Sequence, residues 1–267
     1  MRDLLKNKTY FENYIKNSCA NRKALLKKIE KQQISRDRVS IVMRSLADSS
    51  VQLCISKYSA GYSLVDIRDS YFESIDLIYK SWDGFWKLKI DNEVFNQYTV
   101  SPYQEMLTML SIGYLLNIPN EKFQLLVDVI DRDHVKDKLF EFIIAAKMPS
   151  RKPLESESYK KYFGIPDIFK TLRQIIDSKD KDEASLLMAN YLNNEWYNIQ
   201  AETGIKDIHN SRHDIYYGYW SFESAAIVKI MDLDDSSFIN NQYYPKDLVH
   251  QLPESDKKKG WFGKLGF

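Results

Sequence analysis

Apolar side chains recur at intervals of three and four residues along most of this chain, the periodicity of helices with one buried face. Phe11, Tyr14, Ile15, Leu25, Leu26 and Ile29 draw a first stripe, and Thr9 with Glu12 reads as a capping box that opens it. Ser35 opens a second helix carrying Val39, Val42, Met43, Leu46, Leu53 and Cys54, with its stop near Gly61. Ser63 starts a third, with Leu64, Ile67, Tyr71, Ile75, Ile78 and Trp82 inward, halted by Asp83-Gly84. Long stripes with short joints predict an antiparallel bundle. The segment from Phe85 to Thr99 breaks the period and accommodates a short extended piece. Ser101-Pro102-Tyr103-Gln104 then has the cap, proline and glutamine of a helix start, followed by Met106, Leu107, Leu110 and Leu115. Asn120 caps the next stripe (Phe123, Leu126, Val127, Ile130), and Leu139, Phe142, Ile143 and Ala146 form another. Pro166 and Asp180 open two more, with Phe169, Leu172 and Ile176, then Leu187, Met188, Tyr191 and Leu192.

The expected fold class is therefore all-α: an antiparallel bundle of long amphipathic helices whose N-terminal and C-terminal halves pack together. Residues 148–158 are polar, hold two prolines and lack periodicity, so they are the expected linker between a helical domain at 1–147 and a second at 159–250. Residues 251–267 form a basic, aromatic tail. Its lysines beside Trp261, Phe262 and Phe267 suit contact with an anionic membrane surface, although its apolar part is too short for firm anchoring. A loosely docked terminus is the simpler reading.

The densest pattern lies between Asp214 and Val249. Tyr216, Trp220, Glu223, Ile227 and Ile230 fall on one face of an expected helix, which sets a carboxylate inside an apolar stripe. Such a group needs a partner or a proton. Six carboxylates (Asp214, Glu223, Asp232, Asp234, Asp235 and Asp247) stand here against Lys229 and Lys246, in a chain of 267 residues with net charge +1.

Composition narrows the remaining classes. Nine glycines and seven prolines are few for this length and favour long helices, while 18 tyrosines and five tryptophans suit surfaces that are half apolar and half wet. Near-neutral charge argues against general nucleic-acid binding. The run Arg22, Lys23, Lys27, Lys28, Lys31, Arg36 and Arg38, interrupted by Glu30 and Asp37, reads as a solvated bundle face. Cys19 and Cys54 lack metal or redox spacing and are expected to be reduced, packed thiols. The opening residues have no apolar core of a signal peptide, and no apolar run approaches the ~20 residues of a membrane helix, so a cytoplasmic location is expected.

Candidate chemistry is sparse. His209, His213 and His250 lie near Glu223, Asp234 and Asp235 in sequence and raise the alternative of a metal-dependent hydrolase. No His-Glu-x-x-His, Cys-x-x-Cys, phosphate loop or nucleophile elbow accompanies them. Asp234-Asp235-Ser236-Ser237 reads more simply as a helix stop followed by a cap. Neither a metal nor a cofactor is expected. A helical adaptor for other proteins is a third reading, which the aromatic surface permits.

The run YYGYWSFESAAIVKI, then DDSS, then NQYYPKDLVH resembles the C-terminal domain of the PoNi family of bacterial immunity proteins, which neutralise PoNe-type DNase toxins. The first half is similar to that family's N-terminal domain in pattern and length. The resemblance implies an all-α protein without catalysis whose partner is a cognate DNase toxin domain, bound so as to block access to DNA. It also implies that Tyr219, Trp220, Glu223, Tyr244, Pro245 and His250 build the scaffold, and it places Asp234 and Asp235 there too. Physical chemistry keeps another assignment open: a nuclease site attracts phosphate, so Asp214, Asp232, Asp234, Asp235, Tyr243 and Asp247 are candidates to face the toxin.

Overall fold

A computed structural model describes residues 1–152, 155–161 and 165–250 of the chain. The basic tail and its membrane contact lie outside the described residues. The three long stripes form α1 (Lys8–Glu30), α2 (Arg36–Ala60) and α3 (Leu64–Ser81), with α2 packed between the other two. Gly61 ends α2 at φ +84, where its N–H and that of Tyr62 close on the carbonyls of Tyr58 and Lys57. Ser63 caps α3 through the Asp66 N–H, as expected. The start of α1 differs: Asn7, not Thr9, takes the Tyr10 N–H at 2.9 Å, and Glu12 pairs with Lys8 on the helix surface. Both residue types cap well, and the one two residues earlier in the chain caps here. Arg22 also leaves the solvated face expected for the basic run, and is buried against Ser50 and Glu73.

The aperiodic segment is a hairpin, β1 (Lys87–Ile90) and β2 (Glu93–Tyr98), turned at Asp91 and Asn92, both with positive φ. That is the two-residue turn whose twist matches paired strands, and Asp and Asn tolerate it. Helix α4 (Val100–Leu115) is capped by Thr99 rather than Ser101, with Pro102 in its first turn, where no internal N–H partner is needed. Then follow α5 (Asn120–Arg132) and α6 (Lys138–Lys147), the first preceded by Pro119 at the cap position instead of Asn120.

Asp137 opens α6 and does more than cap it. Its carboxylate takes the N–H groups of Leu139 and Phe140, the Tyr103 hydroxyl of α4 and the Arg173 guanidinium. Arg173 lies on α8 (Lys170–Asp177), which follows the short α7 (Ile165–Ile168). One fully buried carboxylate thus joins three helices. In the segment that leads there, Arg151 bridges Asp131 and Glu141.

Helix α9 (Lys181–Asn190) runs into a turn of π-helix (Tyr191–Glu195) and on into α10 (Trp196–Ile199). Helix α11 (Phe222–Met231) is buried from Phe222 to Val228 and packs on α4, α6, α8, α9 and the final α12 (Lys246–His250). A helix apolar on all sides belongs at the centre of a core. The all-α expectation holds, with the hairpin as the only sheet among the described residues. Among the same residues, no helix is long and apolar enough to cross a membrane.

Helices α3, α4 and α5 close on Gly113. A Cβ there would stand 2.5 Å from the Tyr71 hydroxyl and 2.9 Å from the Phe123 ring, while that hydroxyl donates to the Met109 carbonyl at 2.5 Å. Gly113→Ala is expected to destabilise the protein by about 1–3 kcal/mol, read as a lowered urea midpoint at unchanged slope.

Candidate functional site

The expected helical face running from Tyr216 to Ile230 begins six residues later than the spacing suggests. Residues 214–221 are not helical, and only Glu223, Ile227 and Ile230 of that set lie on α11. The reason is Gly218, held at φ +120, a conformation side chains disfavour. A Cβ at this position would lie 2.0 Å from the Ser59 hydroxyl.

This non-helical segment is stitched to the N-terminal helices. The Tyr10 hydroxyl donates to the Tyr216 carbonyl and accepts from the Tyr216 N–H. The Tyr216 hydroxyl donates to Asp3. Ser59 Oγ donates to the Tyr217 carbonyl at 2.9 Å and accepts from Trp220 Nε1 at 2.8 Å. Tyr219 is buried, and its hydroxyl meets the backbone N–H and ring of His209. The tyrosine-glycine-tyrosine-tryptophan run is thus a strap across the end of α2.

Directly after the strap, Glu223 is buried, and three side-chain donors converge on its Oε1. Trp196 Nε1 donates to it at 2.7 Å, Ser221 Oγ at 2.8 Å and the Tyr191 hydroxyl at 3.5 Å. The π-turn makes this possible. Five residues of α-helix would set Tyr191 and Trp196 roughly 140° apart around the axis, whereas the wider turn brings both to one side. Burial raises the Glu223 carboxyl above its ordinary value, opposed by these hydrogen bonds. A second buried carboxylate, Asp235, accepts from the Tyr244 hydroxyl at 2.8 Å and pairs with His250 Nε2 at 2.7 Å. Pro245, buried between them in sequence, turns the chain into α12.

The candidate toxin-facing residues separate by their partners. Asp214, Asp232 and Asp234 are exposed. Asp232, at the αL end of α11, pairs with Lys181, and Asp234 accepts from the Ser236 N–H and hydroxyl, which hold its carboxyl below the usual range. Asp235 is engaged internally as described. Asp247 pairs with Arg2 at 2.7 Å. Tyr243 is half-buried, its ring parallel to that of Tyr197 with centroids 5.3 Å apart. Asp214 lies before the strap and Asp232 at the C-terminal end of α11.

Glu223 and Asp235 belong to separate hydrogen-bond networks, and no group of three His, Cys, Asp or Glu side chains converges to hold a metal ion among the described residues. His209 and His213 do not share a helix. The first rests on Tyr219 and the second accepts from Arg212. Both cysteines are free thiols.

Several residues that organise this region carry no sequence signal. Arg2 reaches Asp247, the carbonyls of Tyr58 and Tyr62, and the face of the Tyr58 ring. Asp3 and Tyr10 hold Tyr216, and Trp196 holds Glu223. Ser50, Ser56 and Ser59, all buried on α2, are the one available hint, since small polar residues in a core helix mark close approach of another segment.

The family model described as PoNe immunity proteins (PoNi), C-terminal, matches residues 135–248, and the model described as PoNe immunity protein (PoNi), N-terminal, matches residues 2–128. Among solved structures, the crystal structure of protein PA2201 from Pseudomonas aeruginosa superposes with a TM-score of 0.59 at 17% identity, over 88% of this chain and 87% of that one. This likeness concerns the fold. No curated protein matches the chain.

Glu223→Ala removes the acceptor from three buried donors and is expected to cost on the order of 3 kcal/mol in urea unfolding. Glu223→Gln tests the charge alone. With its carboxyl raised by burial above 4.5, the folded state binds the proton more tightly than the unfolded chain does. Wild-type stability is therefore expected to fall relative to Glu223→Gln as pH rises from that value through the raised one.

Proposed function

Because the chain belongs to the PoNe immunity protein (PoNi) family, we propose that it binds a cognate PoNe-type DNase toxin and inhibits it by covering the toxin's DNA-binding or active site. The observation that carries this reading is the family match in both halves of the chain. Protection then follows from binding alone, one immunity protein to one toxin domain, with no reaction turned over. The place of action is the cytoplasm, where such a toxin meets DNA.

The geometry supports a division of labour within the C-terminal segment. The strap, Glu223 and the Asp235–Tyr244–His250 group spend their polar atoms on one another and keep the surface in shape. Asp214, Asp232 and Asp234 direct negative charge outward from that frame. A nuclease must present cations to phosphate, so exposed carboxylates steer its approach and occupy the positions phosphates would take. With a whole-chain charge of +1, this attraction is local to these carboxylates.

Co-expression with a cognate PoNe-type DNase toxin is expected to restore growth to cells that the toxin poisons, and the two proteins to form a one-to-one complex. A toxin that kills regardless and is not bound would overturn the reading. Reversing these three charges with Asp214→Lys, Asp232→Lys and Asp234→Lys together is expected to slow association by about tenfold at low salt, with the difference shrinking as salt is added. An unchanged association rate would move the contact to another face while leaving inhibition intact.

A further inference from the structure

The strap that locks the halves together also walls a cavity of about 250 Å³. Asp48 of α2 and Gln104 and Glu105 of α4 line it, facing the rings of Trp196, Tyr217 and Trp220. Ser101, exposed, stands at its mouth.

Folded proteins leave few buried acceptors without a donor. Two occur together in this cavity. Glu105 Oε1 and Gln104 Oε1 are both closed off from solvent, and neither receives a hydrogen bond. The orientation of Gln104 is set by its neighbours, since its Nε2 donates to Gln200 Oε1 at 2.7 Å while Gln200 Nε2 donates to the Trp196 carbonyl. The bare oxygen of Gln104 is thus a consequence of the surrounding chain.

Charge sharpens the requirement. Burial pushes the Asp48 carboxyl up to about 6, with the Arg44 guanidinium drawing it down. Burial, then the charge of Asp48, holds Glu105 well above the ordinary range. Arg44 is shared: besides drawing on Asp48, its guanidinium lies 3.7 Å over the Phe85 ring and 3.8 Å from Asp83. From the other elements, Tyr217 of the strap faces Glu105 and Asp48, and Tyr14 of α1 stands behind it, donating to Gln52 Oε1 at 3.3 Å. The cavity therefore offers unpartnered oxygens, a carboxyl at Asp48 that ionises above about 6, and aromatic walls. Its complement is a slender group with several N–H donors and a positive charge.

We propose that this cavity binds an alkylammonium or guanidinium head group, with Glu105 and Asp48 accepting its N–H bonds and the three aromatic rings enclosing its stem. The head group arrives on a free small amine or on a lysine or arginine side chain of a bound protein. The inference does not depend on the immunity reading, because the first measurement uses the isolated chain.

Calorimetric titration of n-butylammonium and of methylguanidinium into the full chain is expected to show saturable single-site binding on the alkaline side of pH 6. The same titration on the acid side is expected to be weaker, since protonated carboxyls give up their charge. Glu105→Gln and Asp48→Asn are each expected to weaken binding at least tenfold, and tetramethylammonium, charged but without N–H donors, to bind at least tenfold more weakly than either probe. Cooperative urea unfolding of both variants confirms that they are folded. Absence of saturable binding to the folded wild type, or affinity untouched by both substitutions, would overturn the proposal. If n-butylammonium then weakens the complex with the toxin, the head group comes from the partner's side chain; an unaffected complex assigns the cavity to a free amine.

Discussion

A carboxylate taken out of water must be surrounded by donors, and the C-terminal part of this protein is arranged to satisfy that requirement at Glu223. The residue sits at the first turn of α11, the helix buried on every side at the centre of the core. Its donors come from two directions, Ser221 from the strap and Tyr191 and Trp196 from the helix that carries the π-turn. A regular helix there would turn one donor away. The local irregularity of the backbone therefore answers a charge located elsewhere in the chain, which is a recurrent use of such turns.

The same logic appears twice more. Asp137 collects donors from α4, α6 and α8, and Asp235 collects Tyr244 and His250. Each buried acid ties together separate segments of the chain, and each loses its value if one partner moves. Apolar packing supplies most of the free energy of such a fold, but it is non-directional. The buried acids contribute direction: they admit one relative placement of the helices, the property that a protein working by shape complementarity requires.

Inhibition by occlusion, as proposed, would gain from such a frame, because a surface already in its bound form loses little conformational freedom on binding. The division between inward and outward carboxylates follows from geometry. Asp235 and Glu223 have aromatic donors at hydrogen-bond distance and turn inward, whereas Asp232 ends a helix in the αL region, where the chain is leaving the core. Neighbours in sequence thus come to opposite uses, as Asp234 and Asp235 do.

The sequence by itself determined the helices, because periodicity of apolar residues and the turn chemistry of glycine, serine and proline are local properties. The stripes of α1, α2 and α3, the stop at Gly61, the cap at Ser63 and the demand for a partner at Glu223 were all legible there. The strap was not. Its tyrosines, tryptophan and glutamate fit a helical period, and only the approach of Ser59 within 2.0 Å of where a Gly218 side chain would begin shows why that helix cannot extend backwards. Tertiary structure likewise decided that Arg2 meets Asp247 and that Tyr10 meets Tyr216, contacts that span almost the whole chain. Such pairings depend on which surfaces meet after folding, and residue spacing holds no record of that.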